Sequence, residues 1–297
     1  MTAAERVGAE GNGDERGKES EKFLVEQWKQ AKAYREPYEA GEAVLSNGVS
    51  YPFREGKRLT ILGKQVMDTS EYPWASETIN VAFREMVHPN SSQPVKVLEM
   101  GFGLGITANR IIEQLEGRRI KGEYRVVELN HQIYLDALEW KKRKEAEFDQ
   151  KDREMAGSKP DIKIEIVGGE AGQEARRLLR EIGSSENQKF DIIISDTFPL
   201  RPEDQGINDI KDLPILVKLL TSGGVFAFYP YVPGSISQAD AQDGLTTKQR
   251  TIVKPYFDHI VSSSAIIYPP PEYKYLFRKS GPVRSLPVAV AVGPKTT

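Results

Sequence analysis

Cysteine is absent from the 297 residues, which excludes a disulfide framework, a thiolate nucleophile and any cysteine-ligated metal. Histidine is nearly absent: His88, His131 and His259 are the only three, and they show no ligand spacing, so no metal is expected. No sign of charge prevails, since 41 Lys and Arg face 43 Asp and Glu. No overall field would therefore concentrate the chain on nucleic acid or an anionic membrane, and neither is expected as a partner. No run approaches the ~20 apolar residues of a membrane span. The opening stretch MTAAERVGAEGNGDERGKESEK is charged throughout and lacks the apolar h-region of a secretory signal. These absences lead to the expectation of a cytoplasmic protein.

What is present is an ordinary soluble composition, 39% hydrophobic, in a length that allows one large α/β domain with appendages or two small domains. Three segments are expected. Residues 1–20 have no aromatic residue and too little apolar surface to offset the entropy of ordering, which predicts a disordered tail. Residues 21–94 form an N-terminal helical or lid segment: Leu24, Trp28, Ala31, Tyr34 and Tyr38 recur at helical steps and form a stripe that packs on the main domain, covers a site, or does both. Within this segment Asn47-Gly48 lies between β-prone runs and predicts a tight turn or small hairpin. Residues 95–297 are the main domain. Here VKVLEMG, YRVVELN, IKIEIVG, FDIIISD and GGVFAFYPY alternate with helical patterns. Continuous Val/Ile-rich runs suit parallel strands buried on both faces. SSAIIYPP and LPVAVAVGP follow with no helix between them. The expectation is an α/β, Rossmann-like, seven-stranded and mostly parallel sheet with helices on both faces and a C-terminal antiparallel hairpin.

The first of these strands ends Glu99-Met-Gly101-Phe102-Gly103-Leu-Gly105 and runs into a helix. Glycines let the backbone turn sharply and approach a ligand, and the helix N-terminus offers free N–H groups. The second strand ends in Glu128, 23 residues past Gly105, where a carboxylate can accept from both hydroxyls of a ribose. The order E-x-G-x-G-x-G differs from the dinucleotide fingerprint G-x-G-x-x-G. An acid two residues before the first glycine repels a pyrophosphate but suits a sulfonium and an ammonium. This arrangement resembles motif I of class I methyltransferases. The resemblance implies S-adenosyl-L-methionine as cofactor, with Glu99 and the Gly101, Phe102, Gly103 and Gly105 loop on its methionyl part and Glu128 on its ribose. Gly169 and Glu170, after Gly168 at the end of the third strand, would lie beside the adenine; Gly168-Gly169 reads equally well as an ordinary strand-to-helix turn.

The fourth strand ends Ser-Asp196-Thr197-Phe-Pro, and ligands of doubly wound sheets sit beyond such ends. Asp196 therefore projects toward the transferred group, while Asp191, at the other end of the strand, has a capping or surface role. Upstream stands Leu62-Gly-Lys-Gln-Val-Met-Asp-Thr-Ser-Glu71-Tyr72-Pro-Trp74, and late in the chain Pro270-Pro-Glu-Tyr-Lys-Tyr275. Together these resemble guanidinoacetate N-methyltransferase over residues 58 to 295. The resemblance implies that Glu71 and Asp196 are the two carboxylates that grip a guanidinium, with Asp196 as base and Glu71 as orienting partner. Tyr72, Trp74, Thr197 and Tyr231 are then candidates for substrate contact. Lys64, Arg84 or Lys274 could pair with a substrate carboxylate.

The chain departs from the family after the fifth strand, where Tyr229-Pro-Tyr231-Val-Pro-Gly234 replaces a Thr-Ser loop; the guanidino end of the substrate is kept and the far end differs. Guanidinoacetate, arginine, agmatine or a related metabolite fit as partners, and self-association into a homodimer stays open. The rival expectations are methylation of another small amine, an aminopropyltransferase of the spermidine synthase type, a catalytically silent nucleotide-binding protein and, furthest off, an NAD oxidoreductase.

Overall fold

A computed structural model describes residues 36–47, 57–62, 64–87, 93–154, 160–183, 185–197, 207–229, 245–267 and 284–295. The tail 1–20, the stripe from Leu24 to Tyr34, Tyr231, Lys274 and the Pro270–Tyr275 segment lie outside these residues.

Three short strands come first: β1 (Ala43–Asn47), β2 (Lys57–Ile61) and β3 (Lys64–Asp68), in one antiparallel sheet of order β1-β2-β3. Asn47 pairs with Lys57, so nine residues, 48 to 56, connect β1 to β2. The small hairpin expected around Asn47-Gly48 is present as β1 and β2, and Gly48 itself lies outside the described residues. Leu59, Ile61 and Met67 turn inward and join the main core. Asp68 then accepts from Ser70 N (2.9 Å) while Glu71 reaches back to Asp68 N (3.1 Å), a reciprocal capping box. It feeds α1 (Tyr72–Glu85), which has proline in its first turn.

The main domain alternates β4 (Val95–Met100), α2 (Ile106–Gly117), β5 (Gly122–Glu128), α3 (His131–Glu154), β6 (Ile162–Gly168), α4 (Ala171–Ile182), β7 (Phe190–Ser195), the single turn α5 (Leu213–Leu216), β8 (Leu220–Phe228), α6 (Thr247–Val253), β9 (Phe257–Ile267) and β10 (Arg284–Pro294). The sheet order is β6-β5-β4-β7-β8-β10-β9; β4 to β8 run parallel, and β10 is antiparallel to both its neighbours. This is the expected seven-stranded sheet with its terminal hairpin. α6 stops before Pro255, and β9 starts at Phe257. Proline has no N–H to continue the helix.

Both faces of the sheet are buried, as the uninterrupted apolar runs require. Val97, Ile192, Ile194, Val225 and Val290 face α1, α2 and α3; Leu98, Ile193, Phe226 and Ala291 face α4, α5 and α6. Asp191 is not at the surface: it is 4% exposed and accepts from Lys96 N (2.9 Å) and Thr221 Oγ1 (3.4 Å), tying the starts of β4, β7 and β8. Among the described residues no helix is long and apolar enough to cross a membrane.

The N-terminal segment is tied to the main domain by Asn130. Its Oδ1 accepts from Gln132 N and Ile133 N at the start of α3, and its Nδ2 donates to Tyr38 O and Gly41 O, both at 2.8 Å. Asn130→Ala removes all four bonds at a buried position and is expected to lower stability by about 2 kcal/mol. Urea unfolding checks this, with a reduced midpoint at unchanged slope.

Candidate active site

The order of strands reverses between β4 and β7, and that switch point is where a doubly wound sheet opens a crevice beyond its strand ends. The loop after β4 fills one side of it. Gly101 adopts φ 95°, and a Cβ built on it would stand 2.0 Å from the Asp196 carbonyl oxygen. Only glycine lets the tips of β4 and β7 approach this closely. Gly103 lies against Met67 of β3, whose Sδ accepts from Leu104 N at 3.2 Å. The L-G-K-x-V-M stretch thus buttresses the glycine loop from outside the main sheet. Phe102 sends its ring into the core, edge-on to Trp140 at 5.5 Å, so it offers the crevice only its backbone.

Four acidic side chains surround the switch point. Glu128, at the tip of β5, accepts from Phe102 N (2.9 Å) with one oxygen and from Asn130 N (2.8 Å) with the other. Burial raises its pKa, and these N–H donors counter part of that rise. Glu99 is fully buried; one oxygen accepts from the Tyr124 hydroxyl and the other, Oε1, has no partner among the described residues. Burial pushes its carboxyl well above the usual range. Asp196 is anchored through its own N–H to Met100 O (2.9 Å), and burial together with the Glu128 charge pushes it up to about 7. Asp209, which the sequence reading missed, is raised by burial and by Asp196. Among the described residues no Lys, Arg or His pairs with any of these four.

Tyr229, at the exit of β8, packs against the start of α2 and against α1. Its hydroxyl lies 3.1 Å from Thr107 Oγ1 in the first turn of α2, and its ring meets Trp74 edge-on at 4.8 Å. Burial raises its pKa, and Asp196, Glu99 and Glu71 act in the same direction through their charges. The two carboxylates read as a pair, Glu71 and Asp196, are thus both within electrostatic reach of this one phenol, 125 positions apart in sequence. Glu71 also keeps its capping bond to Asp68 N.

Other expected contacts are already engaged. Tyr72 carries the Arg110 guanidinium over its ring at 5.9 Å. Thr197 donates from both N (2.8 Å) and Oγ1 (3.0 Å) to Asp209, and Asn208 Nδ2 donates to its carbonyl (2.7 Å) and to its hydroxyl. Glu170 caps α4, accepting from Gly172 N (3.0 Å) and Gln173 N (2.8 Å), and Gly169 N donates to Glu128 O (2.9 Å). Lys64 is exposed and Arg84 pairs with Glu85 at 2.8 Å.

The sheet order and the glycine loop define a doubly wound α/β domain with a crevice at its switch point, and a family match covers part of it. The match is to the family model described as guanidinoacetate N-methyltransferase; it runs over residues 43–151, from β1 into α3, taking in Glu71, Glu99 and Glu128 but stopping short of Asp196. Solved structures with a loose likeness include a probable spermidine synthase from Corynebacterium glutamicum ATCC 13032 (18% identity, 85% of this chain and 78% of that one covered, TM-score 0.45). MNMC2 from Aquifex aeolicus (16%, 94% and 83%, 0.44) is another. A third is CrArsM, an arsenic(III) S-adenosylmethionine methyltransferase from Chlamydomonas reinhardtii (15%, 72% and 73%, 0.40). Among curated proteins no sequence matches. The residues present suit S-adenosylmethionine: glycines at three alternate positions of the loop, a Glu99 Oε1 with no partner among the described residues, and acids without basic partners, which would favour a ligand that carries a sulfonium and an ammonium.

Proposed function

We propose that the chain methylates a guanidino nitrogen of a small molecule. What supports this reading is that the charges of Glu71 and Asp196 both act on Tyr229, whose hydroxyl lies 3.1 Å from Thr107 just past the glycine loop, and that Asp196 has no basic partner among the described residues.

Glu99, the Gly101–Gly105 loop and Glu128 would hold S-adenosylmethionine, which supplies an electrophilic methyl group on a sulfonium. The chain does the rest. A guanidinium is almost wholly protonated at neutral pH, and its nitrogens are then poor nucleophiles. Two carboxylates can receive its planar fork and set one nitrogen in line for transfer. Asp196 takes the nitrogen's proton as the new bond forms, and its raised pKa makes it a better base than an exposed aspartate. Glu71, held by its capping bond, orients the fork. Trp74 and Tyr229 wall the acceptor from water.

The test offers radiolabelled methyl donor with guanidinoacetate, arginine, agmatine and a set of amines, and separately offers decarboxylated donor with putrescine. Label is expected on a guanidine. Glu71→Gln is expected to lower kcat/KM about 10- to 100-fold, the loss of one charge-assisted bond, with donor affinity unchanged by calorimetry. Label on amines alone, or aminopropyl transfer to putrescine, would replace this reading.

A further inference from the structure

Three polar groups of Thr197, the residue after the proposed base, are taken up by one adjacent pair. Asp209 Oδ1 accepts from Thr197 N (2.8 Å) and Oγ1 (3.0 Å); Asn208 Nδ2 donates to Thr197 O (2.7 Å) and to Oγ1. Asp209 also accepts from the backbone N–H of Tyr229 at the exit of β8. On its other side Asp196 is fixed by its N–H to Met100 O (2.9 Å) and by its carbonyl packed on Gly101. The network is continuous from the base through Thr197 and Asp209 to Tyr229, then through the Tyr229 hydroxyl to Thr107 at the start of α2. Asn208 is 9% exposed and Asp209 half-buried, and Asp209 carries no ion pair among the described residues.

We infer that Asp209, with Asn208, is a positioning residue of the transfer reaction: it clamps the tip of β7 to the tip of β8, so that the Asp196 carboxyl is held toward the glycine loop and kept from water. The inference rests on the proposed role of Asp196 as base. Without the clamp the β7 tip loses its fixed exit, water reaches Asp196, and the desolvation that favours its neutral form weakens. The titratable groups that share the surroundings of Asp196 are Glu128, Asp209, Glu99, Tyr38 and Tyr229, and the clamp leaves the other four in place.

The test follows the Asp196 carboxyl by carbon-13 NMR titration of the full chain, assigned through Asp196→Asn, alongside turnover and donor calorimetry. Asp209→Ala is expected to move the Asp196 midpoint down by about one pH unit and to lower kcat about tenfold, with donor affinity within about twofold. Asp209→Asn, whose amide oxygen can accept the same Thr197 bonds, is expected to recover most of both. Thr197→Val, which removes only the hydroxyl, should shift the midpoint in the same direction by less, and it decides the matter if Asp209→Ala does not fold. A folded Asp209→Ala or Thr197→Val with wild-type midpoint and kcat overturns the clamp. If the wild type labels no guanidine, the proposed function fails on its own, and the titration still tests the clamp.

Discussion

Asp196→Asn is expected to lower kcat at least about 10³-fold, within the span attributed to a positioned general base, while the affinity for S-adenosylmethionine and its demethylated product changes by less than about fivefold. The sign of the pH dependence follows from what raises the carboxyl. Burial, then the Glu128 charge, push Asp196 up to about 7, and a base must be ionised to act. The kcat/KM of the wild type is therefore expected to rise about tenfold per unit up to an acid limb near pH 7 and to level off above it. With the cationic donor bound the limb should appear lower, since a sulfonium favours the carboxylate. The same group affects folding in the opposite direction. Its folded value lies above the ordinary 3.8 of the unfolded chain, so its contribution to stability is fully present below about pH 4 and is lost as pH rises toward 7. At about 1.4 kcal/mol per unit, a few kcal/mol at most are at stake. Asp196→Asn, neutral throughout, should melt above the wild type at pH 8, and the gap should close at pH 4. A variant that keeps near-wild-type turnover at pH 8 removes Asp196 as the base.

The fold was largely legible because its strands are chemically unambiguous. Residues such as Ile192, Ile193 and Ile194 can be buried consecutively only in a strand covered on both faces, and the lack of a helix between the last two strands dictated the hairpin. The glycine loop was legible for a similar reason, because the Gly101 position tolerates no side chain beside the Asp196 carbonyl. What escaped were long-range side-chain to backbone bonds. Asn130 holds Tyr38 and Gly41, and Asp209 holds Thr197 and Tyr229, yet an asparagine or aspartate in a loop carries no local mark of its distant partner. Thr197 and Glu170, whose position at strand ends suggested ligand contact, also bond within their own neighbourhood, one to Asp209 and the other as a helix cap. Helix capping and ligand binding call for the same residue types, so sequence alone does not separate them.

Glu128→Ala is expected to weaken S-adenosylmethionine and its demethylated product at least about 100-fold by calorimetry, or about 2.7 kcal/mol. Two losses combine. If Glu128 receives the ribose hydroxyls as proposed, its removal deletes a charge-assisted acceptor worth about 1.5–3 kcal/mol. It also frees Phe102 N and Asn130 N, so the glycine loop is no longer held in the shape that admits a ligand. Glu128→Gln keeps an acceptor for the loop and should lose only about tenfold. Because burial raises the Glu128 pKa, and the ionised form is the better acceptor, wild-type donor affinity should fall as pH is lowered toward the carboxylate range. That dependence should be absent in Glu128→Gln. The Glu128 charge also helps to raise Asp196, so at saturating donor the acid limb of Glu128→Gln should move to lower pH although the substituted residue is not the base. Unchanged donor affinity in Glu128→Ala would remove it from the donor site, and an unmoved limb in Glu128→Gln would separate the two carboxyls that the strand tips bring together.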